Sequence, residues 1–133
     1  MPDYLVMDCG AQRFALPRAL VARRLQASEL ALMPRTPPWL CGAGHVAGRV
    51  LSVIDLAALL GERAQPRKEW VAVNTHLGQI VLAVDSSVES DGRETEPPAR
   101  AVTCTLSDKW VKIGAQPVVV LSLEKLWAEM RTK

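Results

Sequence analysis

The chain has 133 residues, a net charge of only +2 and a hydrophobic share of 49%. That balance fits one compact globular domain and excludes a disordered tail or a strongly basic nucleic-acid or membrane-surface binder. No apolar run reaches the roughly 18 residues of a spanning helix, so no direct membrane insertion is expected.

Taken in chain order, Tyr4–Cys9 and Gln12–Leu16 read as strands joined through Gly10. Arg18–Leu25 reads as a short helical turn. Pro34-Arg35-Thr36-Pro37-Pro38 must be irregular, because proline has no amide to donate. Arg49–Ile54 reads as a buried strand running into a helix capped by Asp55, with Leu56, Leu59 and Leu60 at helical spacing and Gly61 beyond it. Glu62–Lys68 reads as a solvated loop. Trp70–Asn74 and Gln79–Val84 follow as strands, then a second solvated loop over Glu89–Arg100. Val102–Leu106 and Trp110–Ile113 are weaker strands. Val118–Leu121 leads into a helix capped by Ser122, with Leu123, Leu126, Trp127 and Met130 on one stripe.

The chain is written twice. Tyr4 to Trp70, Asp8 to Asn74, Phe14 to Ile80 and Leu16 to Leu82 share an offset of 66, and Val53–Leu60 lines up with Val120–Trp127 at an offset of 67. Repeats over roughly 4–61 and 70–130 are each too small to bury much core alone. The expectation is therefore a single domain over 1–133, all-β with short helices: two small β-barrels that share a core, and a C-terminal helix.

Three segments carry a family resemblance: Phe14-Ala15-Leu16-Pro17, then Pro38-Trp39-Leu40-Cys41-Gly42, then Gly48-Arg49-Val50-Leu51-Ser52-Val53-Ile54-Asp55-Leu56. With Leu82-Ala83-Val84-Asp85-Ser86-Ser87-Val88 in the second half, they resemble the CheW-like domain family over nearly the whole chain. The resemblance implies two SH3-like five-stranded barrels and a non-catalytic adaptor without cofactor. It implies two protein partners: the regulatory domain of a CheA-type histidine kinase, met at barrel edges, and the cytoplasmic tip of a chemoreceptor, met in a groove between the barrels. That groove corresponds here to Val21, Leu25, His45, Val46, Ala47, Gly48 and Arg49. Location would be cytoplasmic, with recruitment to membrane receptor arrays. Cys9, Cys41 and Cys104, odd in number and scattered, agree with a reducing compartment.

The chain departs from the family pattern at the receptor-facing positions. His45 stands where the family has Asn and Ala47 where it has Arg, which removes five fixed donors. Arg23 stands where an acid is usual, and Ser52 replaces a proline. The kinase-scaffold role is thus the firmer expectation, and loss of binding to a standard receptor is an alternative.

Sharper chemistry finds little support. Cys41 and His45 lack partners for a tetrahedral zinc site. Asp85, Ser86 and Ser87 sit in no nucleophile elbow. Gly42, Gly44 and Gly48 fit neither phosphate-loop spacing. Arg18, Arg23, Arg24, Arg35 and Arg49 are spread along the chain and balanced by acids, so a nucleic-acid or other ligand-binding barrel is the runner-up and no nucleic acid is expected as partner. Trp39, after two prolines, is a candidate exposed anchor. Trp127 reads as core.

Overall fold

The computed structural model describes residues 3–98, 106–107 and 109–132. The expected strand Val102–Leu106 lies outside the described residues apart from the buried Leu106. In chain order come β1 (Tyr4–Cys9), β2 (Gln12–Pro17), a 3-10 turn (Arg18–Leu20), β3 (Val21–Gln26), β4 (Leu30–Ala31), β5 (Leu40–Val46), β6 (Arg49–Asp55) and α1 (Leu56–Leu59). The second half holds β7 (Glu69–Thr75), β8 (Gly78–Val84), β9 (Ser86–Ser90), β10 (Arg93–Thr95), β11 (Lys109–Ile113), β12 (Gln116–Val120) and α2 (Leu123–Thr132).

The strands form two sheets, β10-β11-β12-β2-β1-β9 and β4-β5-β6-β8-β7-β3. Each has five strands of five or more residues and a short sixth, β4 or β10, at one edge. Position by position the two orders match: β1 answers to β7, β2 to β8, β9 to β3, β12 to β6, β11 to β5 and β10 to β4. The register agrees too. The parallel pairs Val53↔Val81 and Val120↔Ala15 are one pair seen twice under the sequence offsets of 66 and 67. Each sheet nevertheless draws on both repeats, because the β1–β2 hairpin completes the second-half sheet and β7–β8 completes the first-half one.

This exchange explains the near-continuous apolar runs of those hairpins. Successive strand residues face opposite sides; the middles of β7 and β8 are buried on both, while β1 alternates buried with half-buried residues. Leu5, Met7, Phe14, Leu16, Val71, Val73, Ile80, Leu82 and Val84 face a shared core between the sheets, joined by Leu56, Leu59 and Leu126 from the helices. Trp70, Ala72, Val81 and Ala83 face the interior of one barrel. Ala15, Val111 and Val118 face the interior of the other. Since stabilisation scales with apolar area removed from water, the shared layer binds the halves into one unit.

Both expected helix caps form: Asp55 Oδ1 accepts from Ala58 N at 3.2 Å, and Ser122 Oγ accepts from Lys125 N at 3.3 Å. Four expectations are corrected. Arg18–Leu25 is helical only for the 3-10 turn, after which Val21–Gln26 is a strand, paired with β7 along its whole length. Glu89–Arg100 is strand through Ser90, and Arg93–Thr95 returns to pair with β11. Within Glu62–Lys68, Arg67 is buried rather than solvated. Trp39 is half-buried and packs on the shared core, as does Trp127, so Trp39 is no exposed anchor.

Candidate partner-binding site

The expected groove residues occupy three places. His45 and Val46 close β5, Ala47 and Gly48 make the turn, and Arg49 opens β6. Ala47 and Gly48 have φ of 50° and 80°, the pair of left-handed residues that a tight hairpin turn demands. The left-handed region is unfavourable for alanine, so the turn is strained there. His45, Ala47, Gly48 and Arg49 are exposed, and Val50, across from His45, is 63% exposed. Val46 points inward and is 3% exposed, a core residue of one barrel.

Val21 and Leu25 sit on β3, where alternation alone would put both on one face. A bulge between Val21 and Arg23 shifts the register. Val21 then lies opposite Val73 of the shared core, while Leu25 lies opposite Trp70 of the barrel core. Residues directly opposite in a ladder share a face. Leu25 and Val46 therefore line the same barrel, and Val21 faces the inter-barrel layer. The structure does not assemble all seven residues into one wall.

The seam between the barrels is polar where the edges of the two sheets, β3 and β9, approach. Arg24 Nε donates to Ser87 Oγ at 3.0 Å and its Nη2 to the Ser87 carbonyl at 2.8 Å, while Ser87 Oγ donates to Glu69 at 3.3 Å. Arg18 pairs with Glu89 at 3.1 Å beside them. This seam leaves no mark in the order of residues, since it depends on the hairpin exchange.

A second polar cluster holds the segment between the halves. The Arg67 side chain is 1% exposed; its Nη1 donates to both oxygens of Asp85 at 3.1 Å, and its Nε lies 3.4 Å from Asp55 Oδ1. Asp85 also accepts from Gly10 N at 2.8 Å and Glu62 from Ala11 N at 3.1 Å. The tip of β1–β2 is thereby strapped to residues 62–67. Burial opposes the Arg67 charge, but the hydrogen bonds and charges of Asp85 and Asp55 outweigh it and hold its pKa above the ordinary value. Buried ion pairs mark structural networks as often as sites, and nothing here is placed to react.

The remaining candidates resolve as scaffolding. Ser86 Oγ donates to Asp8 Oδ2 at 3.0 Å, and Ser87 belongs to the seam. The hydrogen bond from Arg13 holds the Asp8 carboxyl below its usual range. Burial, with the nearby charge of Asp85, pushes the Cys9 thiol far up, and burial followed by Asp55 pushes Cys41 up to about 11. Among the described residues no His, Cys, Asp and Glu group could hold a metal ion, and no helix is long and apolar enough to cross a membrane. Gly42, Gly44 and Gly48 serve backbone packing and the turn, not a phosphate.

The family model of the CheW-like domain matches residues 3–130. The chain belongs to the CheW-like domain family. Its fold matches the crystal structure of the scaffolding protein TtCheW from Thermoanaerobacter tengcongensis, with a TM-score of 0.75 and 19% identity over 92% of this chain and 90% of that one. No protein among curated sequences matches it. The two barrels with a common core are those of a CheW-like domain, and the hairpin exchange is how this member builds them.

Proposed function

We propose that this CheW-like chain is a non-catalytic adaptor that acts as one unit and couples chemoreceptors to a CheA-type histidine kinase. Family membership supports the scaffold role in general. The observation that carries the reading is that, among the described residues, β4 and β10 each end a sheet with no strand beyond them, with Leu30 exposed on β4 and Val88 exposed on β9. Open edges offer main-chain donors and acceptors together with apolar side chains, which is what a partner barrel needs. The kinase's regulatory domain docks at such an edge.

The receptor tip is assigned to the exposed β5–β6 turn, His45 and Ala47–Arg49, with Leu25 and Val46 supporting it from the barrel interior and Val21 on the inter-barrel side. Arg23 is exposed on β3. A receptor that fits here presents an acid, not a base, toward Arg23 and asks for no arginine at position 47. The working place of the protein is the cytoplasm, beside membrane receptor arrays. Calorimetric titration against the kinase regulatory domain, with an oligonucleotide at matched salt as control, tests the reading. Micromolar binding to the kinase domain alone supports it, whereas salt-dependent binding to the oligonucleotide alone replaces it with a nucleic-acid barrel. Ala47→Arg tests the receptor assignment. Position 47 is exposed, so arginine adds donors without repacking the core. Unchanged receptor affinity would remove this position from the contact.

A further inference from the structure

We infer that the second barrel binds a carboxylate of a protein partner between Arg93 and Lys112, at an internal duplicate of the β5–β6 turn. The inference rests on the reading of that turn as a partner contact. Under the offset of 67, His45↔Val50 and Val46↔Arg49 become Lys112↔Pro117 and Ile113↔Gln116, which are the pairs that β11 and β12 make. Ala47 falls on Gly114, and both are left-handed, with φ of 50° and 60°. Gly114, Ala115 and Gln116 are exposed, as Ala47, Gly48 and Arg49 are. The fold thus presents one device twice. Where the first copy carries His45, the second carries the permanent charge of Lys112.

A second cation stands beside that charge. Arg93 on β10 lies directly opposite Lys112 in the ladder, so the two side chains share a face, and both are exposed. Like charges directly opposite destabilise a sheet. Among the described residues neither has an ion-pair partner. A cross-strand pair of cations left without a counterion inside the fold is relieved by an anion from outside it. Together the two bases line an open cavity of about 570 Å³, shared with Asp3, Asp91, Gly92 and Gly114. β10 ends its sheet, so no further strand of the described residues covers them.

The surroundings choose the anion. Asp3 and Asp91 on the same cavity, with the exposed Glu94 next to Arg93, confine the positive field to two side chains. A nucleic-acid backbone is held by a longer row of cations and would meet these acids. A single carboxylate can accept charge-assisted hydrogen bonds from both bases, and a basic residue beside it would meet Asp3 or Asp91. The occupant that fits is a protein segment with an acid and a base side by side.

NMR titration of the isotope-labelled full chain with the blocked peptide Gly-Glu-Lys-Gly tests this, with Gly-Gln-Lys-Gly and inorganic phosphate as comparison probes. The expected result is a saturable shift of the Gly92, Arg93, Lys112 and Gly114 amides by the glutamate peptide and none by the glutamine peptide. Arg93→Gln and Lys112→Gln each weaken binding about two- to fivefold. Lys112→Glu abolishes binding yet raises the melting temperature by about 1–3 °C, because it sets an acid opposite Arg93. No shift at these amides overturns the inference, as does an equal response to the glutamine peptide or a Lys112→Glu variant that melts below the parent. Phosphate that moves the same amides at lower concentration than the glutamate peptide gives the cavity to a free anion and overturns the protein partner. No kinase enters this titration, so its failure and a failure of kinase binding are read apart.

Discussion

Gly44→Ala should destabilise the barrel that carries the β5–β6 turn. Gly44 lies on β5 beneath Trp70, and a Cβ there would stand 2.7 Å from Trp70 Cη2, 2.8 Å from Cζ3 and 3.1 Å from Val53 Cγ2. Carbon atoms in contact prefer about 3.5–4.0 Å, so two contacts are short by most of an ångström. Trp70 cannot swing away, being 2% exposed among Val46, Leu51, Val53, Val81 and Ala83. Overpacking of this kind costs about 1–3 kcal/mol, while replacing a strand glycine returns about 0.5–1 kcal/mol of backbone entropy. The net loss should be about 1–2 kcal/mol, a fall in melting temperature of about 3–8 °C. Urea denaturation followed by circular dichroism measures it. Trp70→Phe removes the atoms that clash, so the double variant should be less destabilised than the sum of the singles by about 1 kcal/mol. A Gly44→Ala variant as stable as the parent, or costs that simply add, would refute the knob-in-hole account of this barrel.

Arg67→Met should destabilise by about 3–5 kcal/mol, because it leaves the fully buried Asp55 with no cation beside it; a loss below 1 kcal/mol by chemical denaturation would show the strap to be dispensable. Ala47→Asn should raise stability by about 0.5–1 kcal/mol, since asparagine accepts the left-handed turn better than alanine does, and a lower melting temperature would contradict that. Cys9 and Cys41 should resist alkylation at pH 8 in the folded protein and label together on unfolding, since both thiols titrate well above that pH. Peptide mass mapping reads each site, and rapid native labelling of Cys9 would contradict its burial. Arg13→Ala should raise the Asp8 titration toward the usual carboxylate range, read by NMR. The depressed carboxyl stabilises the fold above its unfolded pKa and loses that contribution as pH falls through its folded value.

The duplication was legible because both copies repeat the same burial: the offsets that align Phe14 with Ile80 also align the strand partners Val120↔Ala15 and Val53↔Val81. The caps Asp55 and Ser122 were legible because a cap is a local device. β3 was misread because Val21-Ala22-Arg23-Arg24-Leu25-Gln26 is rich in helix formers, and only pairing with β7, distant in sequence, makes it a strand. The bulge that parts Val21 from Leu25 leaves no mark in composition. The burial of Arg67 escaped for the same reason: its partners Asp55 and Asp85 arrive through the fold, not through neighbouring residues. Of the candidate site, the turn at Ala47-Gly48 and its exposure were within reach of sequence, whereas the assignment of Val21 to the shared core and of Leu25 and Val46 to one barrel was not.

Calorimetric titration of the chain into the regulatory domain of its cognate CheA-type kinase tests the central claim most directly. The adaptor account predicts saturable binding at micromolar affinity or tighter. Absence of heat at high concentration, with both proteins folded, would contradict it and assign these open barrel edges to another partner.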